Sequence, residues 1–392
     1  MTVISKQTSP YIRRKSSVNR MMNDVIIAVS PLIIFALCIY QLKALMIFSI
    51  SILTMLMMEF IYIGLRNKMP KDGQKHHFKE KFLFAYKGHY HLSNVLSPLV
   101  SALIFSLLMP ANATWYSVFI SSLLGITLGK LVFGGLGNNI FNPAALGFII
   151  SKICFESHYP QMDYSLINFF NSGSLDVVAG ATPLANINSG LSVVLNSHPN
   201  QWEFILNLLI GRVGGSLGEA SSLLIIVGAI YLIVRKSADY RPMLSYFVTT
   251  LFLIMASGAV ICIVNPNNIN YFIYVFYELL SGGLLFLMAF MVSDPVTMPI
   301  TSPGRIIYGE IAGILTIFIR FFAATNEGAA FSLLIANMFV PMIDYYKFSS
   351  QQYTKKKIIL MVSLLLISIL LLILLIIFYK TNSNGERMFY YG

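Results

Sequence analysis

One polar stretch, residues 176–184, stands between long apolar segments and carries a single hydroxyl side chain, that of Thr182. Gly180 and Ala181 precede this threonine, and such small residues leave room for a modifying enzyme and then for a bulky attached group. A threonine hydroxyl can form a phosphoester with flavin mononucleotide, so one hypothesis is that Thr182 is a flavin attachment site. The alternative is a turn in which Pro183 fixes the backbone and Thr182 caps the residues that follow.

Two further polar segments, residues 134–143 and 293–305, occur at the ends of apolar runs and are rich in glycine, asparagine and proline. Asn142-Pro143 predicts a helix start, with asparagine as the N-cap and proline at the first helical position. Irregular backbone near the hydrocarbon is tolerated where it lines a cavity or a bound group. These segments are therefore hypothesised to hold a flavin or part of an ion path, and helix capping with tight packing is the alternative. The candidate residues are Asn138, Asn139, Asn142, Asp294 and Thr297.

Few ionisable residues fall within the apolar runs: Glu59, Lys130, Glu278, Glu310 and Arg320. Because a charge is costly inside a bilayer, such residues are candidates for function. Glu59 and Glu278 are the two hypothesised to lie on an ion path. The alternative for Glu59 and Arg320 is that each stands close enough to a segment end for its side chain to reach the interface, and Glu278 and Glu310 are comparably placed.

The composition excludes a soluble globular protein. Of 392 residues, 56% are hydrophobic and 11% are charged, whereas roughly 25% are charged in soluble domains. Many separated apolar stretches approach the roughly 20 residues that cross a bilayer as a helix. The predicted fold is an all-α polytopic membrane protein with about ten core transmembrane helices and an additional C-terminal helix. The predicted spans are 22–42, 44–65, 95–109, 118–133, 143–155, 217–234, 243–264, 271–292, 306–322, 328–343 and 358–378.

The charged loops predict the orientation of the chain, since cytoplasmic loops carry an excess of lysine and arginine. The tail 1–21 and the loop 66–93 are basic, and the latter has seven basic residues against two acidic ones. The loop 156–201 has no lysine or arginine. The N-terminus is therefore predicted to be cytoplasmic and the loop with Thr182 extracytoplasmic. The net charge of +11 reflects these loops and does not indicate nucleic-acid binding.

Several motifs together resemble the RnfD/NqrB family of membrane subunits of ion-pumping respiratory complexes. They occur in the family's order between residue 9 and about residue 346, and they resemble the RnfD branch more than the NqrB branch. They are Ser9-Pro10, residues 20–25, Met109-Pro110 before Trp115, residues 134–145, residues 180–184, Gly218-Glu219, residues 294–297, Gly304-Arg305 with Tyr308-Gly309, and Glu327-Gly328 with Asn337, Pro341 and Asp344.

The resemblance implies a flavin mononucleotide attached to Thr182 by a separate flavin transferase, with Asp176, Gly180 and Ala181 around it. It also implies a second, non-covalent flavin, riboflavin or flavin mononucleotide, within the bundle, and partner subunits that deliver electrons. Ala179 departs from the family pattern, which usually has serine or threonine before the glycine. Ten core helices could contain two inverted five-helix repeats. The domain division is then a tail 1–21, a membrane domain 22–346 and an additional basic linker and helix 347–392.

The function expected from this resemblance is a redox subunit in the bilayer of a prokaryotic inner or plasma membrane. It would pass electrons through its flavins inside a sodium- or proton-translocating complex that links ferredoxin and NAD. No catalytic side chain and no metal site are assigned. The alternatives are a quinone-reducing subunit of the NqrB type and a solute transporter or channel without redox chemistry.

Overall fold

The computed structural model describes residues 18–67, 84, 86, 90–159, 201–211, 216–219, 221–264, 270–322, 328–345, 348 and 350–382. Within these ranges the chain is helical, with no β-strand beyond an isolated bridge between Pro110 and Ser216. The predicted all-α polytopic membrane fold is confirmed. The α-helices are α1 (Val18–Arg66), α2 (Leu92–Leu108), α3 (Trp115–Ile126), α4 (Pro143–Phe155), α5 (Gln201–Ile210), α6 (Ser222–Val234), α7 (Tyr240–Val264), α8 (Tyr271–Leu280), α9 (Leu284–Phe290), α10 (Ser302–Phe322), α11 (Gly328–Tyr345) and α12 (Lys355–Asn382).

Helix α1 is 49 residues long, about 70 Å at roughly 1.5 Å per residue, more than twice the roughly 30 Å hydrocarbon core. Gln41 interrupts it with φ 44° and ψ −118°. This break separates two helical halves that correspond to the predicted spans 22–42 and 44–65. The buried side chains of both halves, among them Leu32 and Ile47, face the neighbouring helices.

The first helices form one group and the last helices another. Helix α1 packs against α2 and α3, and both of these pack against α4. In the second group α10 packs against α7, α11 and α12. Helices α4 and α11, which end the two predicted halves, contact each other, and α6 connects the groups by packing against α1 and α9. The inverted repeat itself stays a prediction.

The predicted span 271–292 is not one continuous helix. Helix α8 ends at Leu280, Gly282 takes a left-handed φ of 69°, and α9 begins at Leu284 with its axis bent by 48°. Glycine adopts this φ without a steric penalty. The predicted span is thus bent in its middle, because Ser281-Gly282-Gly283 interrupts the apolar run.

The predicted span 217–234 also begins later than expected, at Ser222. Residues 216–219 instead run along the end of α2, where the N–H groups of Leu217 and Gly218 donate to the carbonyls of Met109 (3.1 Å) and Leu107 (2.7 Å). A Cβ atom on Gly218 would lie 2.7 Å from the Leu107 side chain. The missing side chain at this glycine therefore permits a close backbone approach inside the bundle.

Among the described residues, four helices are long and apolar enough to cross a membrane, and the bent pair α8–α9 makes a fifth. Helices α2 and α6 and the apolar segment Trp115–Leu131 are shorter. Ten core spans and an eleventh thus stay a prediction. The last helix, α12, lies mostly exposed along α7 and α10.

Candidate functional site

The predicted flavin-attachment stretch lies outside the described residues. This applies to Thr182 and to the three neighbours proposed with it, Asp176, Gly180 and Ala181. The attachment of flavin to this stretch stays a prediction that rests on the sequence.

The polar segment before α4 is a turn whose side chains serve mainly to start the helix. Asn142 accepts hydrogen bonds from the N–H groups of Ala144 (3.0 Å) and Ala145 (3.4 Å), and Pro143 is the first helical residue. The predicted N-cap is confirmed. Asn138 is exposed, whereas the buried Oδ1 of Asn139 has no hydrogen-bond partner among the described residues.

The second polar segment, after α9, is also a turn that is held by its own hydrogen bonds. Asp294 accepts hydrogen bonds from the N–H of Val296 (3.2 Å) and from the hydroxyl of Thr297 (3.1 Å). Burial raises the pKa of Asp294 above its ordinary value, and these two hydrogen bonds offset part of that rise. The carboxylate of Asp344, near the end of α11, accepts from the N–H of Ile300 (3.1 Å) and thereby holds the segment against that helix.

The two segments share a neighbour, since α11 packs against α4, which the first segment starts, and binds the second segment through Asp344. The hydrogen bonds of Asn142 and Asp294 nevertheless stay within their own segments, whereas Thr297 also contacts the hydroxyl of Tyr308 on α10. Helix capping and turn closure thus account for these three side chains. Of the predicted set, Asn139 is the residue with an unsatisfied buried oxygen in this part of the structure.

Glu59 forms a buried ion pair that its sequence neighbours do not predict. Its Oε2 lies 2.8 Å from Nζ of Lys130, with side-chain exposures of 3% and 0%. Lys130 belongs to a π-helical turn, Thr127–Leu131, and also donates to the hydroxyl of Ser97 (3.0 Å). The interface position considered for Glu59 is therefore wrong. The ion pair connects α1 to this π-helical turn, and the place of Glu59 on an ion path stays a prediction.

Glu278 is neutralised in the same way. Arg320 on α10 lies 3.2 Å from the Glu278 carboxylate, and each side chain is 3% exposed. The guanidinium also donates to the carbonyls of Glu278 (2.6 Å) and Ser281 (3.2 Å), which the break after α8 leaves without helical partners. Arg320 thus stabilises the broken helix and does not reach the interface as considered from its position.

Glu310 is a buried acid of a different kind. It is 3% exposed, and its Oε1 has no hydrogen-bond partner in the described part of the chain. In the described part of the chain, Glu59 pairs with Lys130 and Glu278 pairs with Arg320, whereas no ion pair involves Glu310. It lines an open groove of about 400 Å³ between α7, α10 and α12.

Charged residues near the ends of α1, α6 and α10 also form ion pairs. Asp24, near the start of α1, pairs with Arg235 (3.3 Å) after α6 and accepts from Ser237. Asp239 pairs with Arg305 at the start of α10. These contacts hold the first turns of α1 and α10 against the connection that follows α6.

The sequence does not indicate which residues form the two buried ion pairs. Lys130 is recognisable there as ionisable, but nothing connects it to Glu59, which lies far away along the chain, and Arg320 is not connected to Glu278 either. The break beside Glu278 has a usable signal, the Ser281-Gly282-Gly283 run inside an apolar segment. Two glycines there favour a bend over a continuous span.

The sequence of this chain matches the NQR2, RnfD, RnfE family over residues 5–354. The match covers the two helix groups and the polar segments between them and ends before α12. The chain belongs to the NQR2, RnfD, RnfE family. The predicted resemblance is thereby confirmed, and α12 lies outside the part that the family shares.

Relatives within the family are subunits of ion-translocating oxidoreductases. The chain is 28% identical over 347 residues to the D subunit of the proton-translocating ferredoxin:NAD(+) oxidoreductase complex of Clostridium ljungdahlii, a match that covers 88% of this chain and 94% of that relative. It is 27% identical over 343 residues to the D subunit of the Na(+)-translocating ferredoxin:NAD(+) oxidoreductase complex of Acetobacterium woodii, covering 88% and 93%. The B subunit of the Na(+)-translocating NADH-quinone reductase of Chromohalobacter salexigens is 30% identical over 269 residues, covering 67% and 61%. The matches to the two D subunits extend over nearly the full length of both chains.

Proposed function

We propose that this chain is the flavin-carrying membrane subunit of an ion-translocating electron transport complex, and that the complex links ferredoxin and NAD. The observation that carries the proposal is the match of 88% of the chain to the D subunits of two ferredoxin:NAD(+) oxidoreductase complexes. One of these relatives is named for protons and the other for sodium ions. The identity of the transported ion therefore has to be argued from this chain's own residues.

The covalent flavin is assigned to Thr182. Its hydroxyl provides the oxygen that a phosphoester of flavin mononucleotide requires, and the adjoining Gly180 and Ala181 give a transferase access to it. Loop 156–201 has no lysine or arginine, which supports an extracytoplasmic position in a prokaryotic plasma membrane. Bound flavin would supply a group that accepts and donates electrons. The chain's part is to carry it on the side of the membrane where the transferase works.

The second flavin is assigned to the bundle, and the described residues fit it only in part. Asn139 has a buried carbonyl oxygen that could accept a hydrogen bond from a ring N–H of a flavin. The other candidates already form hydrogen bonds within their own turns, namely Asn142, Asp294 and Thr297. We therefore keep Asn139 as the residue of this set that would orient the group, and assign the other three to the support of the surrounding turns.

Two other functions have specific support. A quinone-reducing subunit of the NqrB type is favoured by the 30% identity to the B subunit of a NADH-quinone reductase, although that match covers 67% of the chain. A solute transporter or channel without redox chemistry is compatible with a helical bundle that contains a broken helix. Such a protein would need no flavin.

The experiment is to replace Thr182 by alanine in the complex, produced together with a flavin transferase. Thr182→Ala should insert normally, lose all covalent flavin and stop electron transfer between ferredoxin and NAD. Thr182→Ser keeps a hydroxyl and should retain part of the covalent flavin. Covalent flavin that persists in Thr182→Ala would show that another residue carries it, and a wild-type chain without flavin would favour the transporter.

A further inference from the structure

Three glutamates are buried within the helices that the structure describes, and two of them have a buried cation. Glu59 is paired with Lys130 and Glu278 with Arg320. Burying an ionised carboxylate without a counter-charge is energetically costly, so a buried acid without an ion pair must be neutralised in another way. Glu310 is this third glutamate.

Glu310 lies in the interior of helix α10 and not at its end. It is eight residues from the start of the helix at Ser302, which is about 12 Å at roughly 1.5 Å per residue. The side chain is 3% exposed, and its Oε1 has no hydrogen-bond partner among the described residues. The carboxyl group also contacts the backbone N–H of Leu365 on α12, which provides a hydrogen bond but no charge.

The groove beside Glu310 provides oxygen atoms as well as apolar walls. Helix α7 contributes Ser245, whose hydroxyl donates to the carbonyl of Ile306 (2.6 Å), and Thr249, whose hydroxyl donates to the carbonyl of Tyr246 (2.9 Å). A hydroxyl that donates one hydrogen bond still has lone pairs with which to accept another or to coordinate a cation.

The charged and titratable groups of the groove stand at one end of it. Helix α7 contributes Tyr240 and Arg241, and the connection before α12 contributes Tyr353. Arg241 is already engaged by Asp239 (3.8 Å) and by the hydroxyl of Ser302 (2.5 Å). The groove-lining residues of α12 are apolar. Among the described groove-lining residues Arg241 is the one cation, and it pairs with Asp239, so Glu310 has no salt bridge there.

The packing of α7 against α10 keeps the groove in place. Gly309 and Gly313 flank Glu310, and a Cβ atom on the first would collide with the Pro242 carbonyl and one on the second with the Thr249 hydroxyl. The two helices are thus in close contact on one side of Glu310. Helix α12, which lies beyond the residues shared with the family, forms the other wall.

From these observations we propose that Glu310 binds an exchangeable monovalent cation, a proton or a sodium ion, in the groove that α12 completes. The missing counter-charge of this carboxylate is then supplied by the transported ion and not by the chain. The inference deepens the proposed function, because it rests on the chain belonging to an ion-translocating complex. It assigns the cation to Glu310 in place of Glu59 and Glu278, which are held by Lys130 and Arg320.

The test uses dicyclohexylcarbodiimide, an apolar reagent that enters membranes and reacts with protonated carboxyl groups. The carboxyl oxygen adds to the carbodiimide carbon, the carboxyl proton moves to nitrogen, and an acyl shift gives a stable N-acylurea. The intact complex in its membrane is treated over a range of pH in NaCl or KCl, and modification of Glu310 is measured by peptide mass spectrometry. This reaction needs neither flavin nor electron transfer. A negative labelling result would therefore count against the cation site and leave the redox proposal unaffected.

Glu310 should be modified, and the rate should fall about tenfold for each pH unit once its carboxyl ionises. Protection by NaCl but not by KCl identifies the cation as sodium, and the same pH-dependent labelling in both salts, with no protection by NaCl, identifies it as a proton. Glu59 and Glu278, equally buried but ion-paired, are internal controls and should remain unlabelled. Glu310→Gln should abolish the label while the chain still inserts. Absence of modification at every pH, or modification that ignores both pH and salt, would overturn the proposal.

Discussion

Removing Lys130 should destabilise the fold far more than removing an exposed lysine. Lys130→Met leaves the carboxylate of Glu59, 3% exposed, without the ammonium that lies 2.8 Å away. Breaking a buried ion pair on one side costs about 3–5 kcal/mol. Since total stabilities are about 5–15 kcal/mol, the loss is a large fraction of the stability. The hydrogen bond to Ser97 disappears as well.

The matched control is Lys152→Met. Lys152 pairs with Glu156 at a similarly short 2.6 Å, but the side chains are 18% and 51% exposed. Such surface pairs contribute about 0–1 kcal/mol. The double variant Glu59→Met with Lys130→Met should recover most of the stability, because apolar residues of similar size often replace a buried pair at little cost.

The free energy of unfolding is measured for the purified chain by titration of mixed micelles with dodecyl sulfate, with helicity followed by circular dichroism. We expect a coupling energy of roughly 3 kcal/mol between the two positions. A Lys130→Met variant that loses no more stability than Lys152→Met would refute the view that this pair anchors α1 to the π-helical turn.

Three further outcomes follow from the same structure and sequence. A reporter fused within loop 66–93 should read cytoplasmic and one within loop 156–201 extracytoplasmic, and the same reading from both would contradict the charge-based orientation. Asn142→Ala should lower the unfolding free energy by about 1 kcal/mol in the same micelle titration, whereas Asn142→Asp, an equally good N-cap, should not. Because the folded-state pKa of Asp294 is raised by burial, its ionisation weakens the fold. Stability should fall as pH rises from the ordinary aspartate range to the folded-state pKa, and Asp294→Asn should remove this slope in melting temperatures measured across pH.

The elements that depend on local pattern could be predicted from the sequence. Apolar runs of about 20 residues indicated the positions of most helices, and Asn142-Pro143 indicated the start of α4, because capping is decided by two adjacent residues. The same local reasoning missed the bend between α8 and α9. Apolar character continues on both sides of Gly282, and the prediction followed it across the Ser281-Gly282-Gly283 run, where Gly282 takes a left-handed φ of 69°.

The candidate site could not be predicted in the same way, because it depends on ion pairs between residues that are far apart in the sequence. Glu59 meets Lys130 and Glu278 meets Arg320 across different helices, so the sequence could identify each as a costly charge but not as half of an ion pair. That distinction is the reason why we propose Glu310 as the ion-binding residue in place of Glu59 and Glu278. Glu310 was no more prominent than its neighbours in the sequence. It becomes notable only because the folded bundle gives it a groove and no ion-pair partner among the described residues. The attachment at Thr182 is still predicted from residue chemistry alone.

The central claim is that this chain itself carries a flavin, and the most direct measurement is flavin fluorescence of the denatured wild-type polypeptide in a gel. The chain is produced with a flavin transferase, and the peptide that contains Thr182 is then weighed by mass spectrometry. We predict a fluorescent band and one peptide whose mass is increased by a phosphoester-linked flavin mononucleotide. A polypeptide that is produced with an active transferase and yet shows neither fluorescence nor a mass increase would contradict the claim.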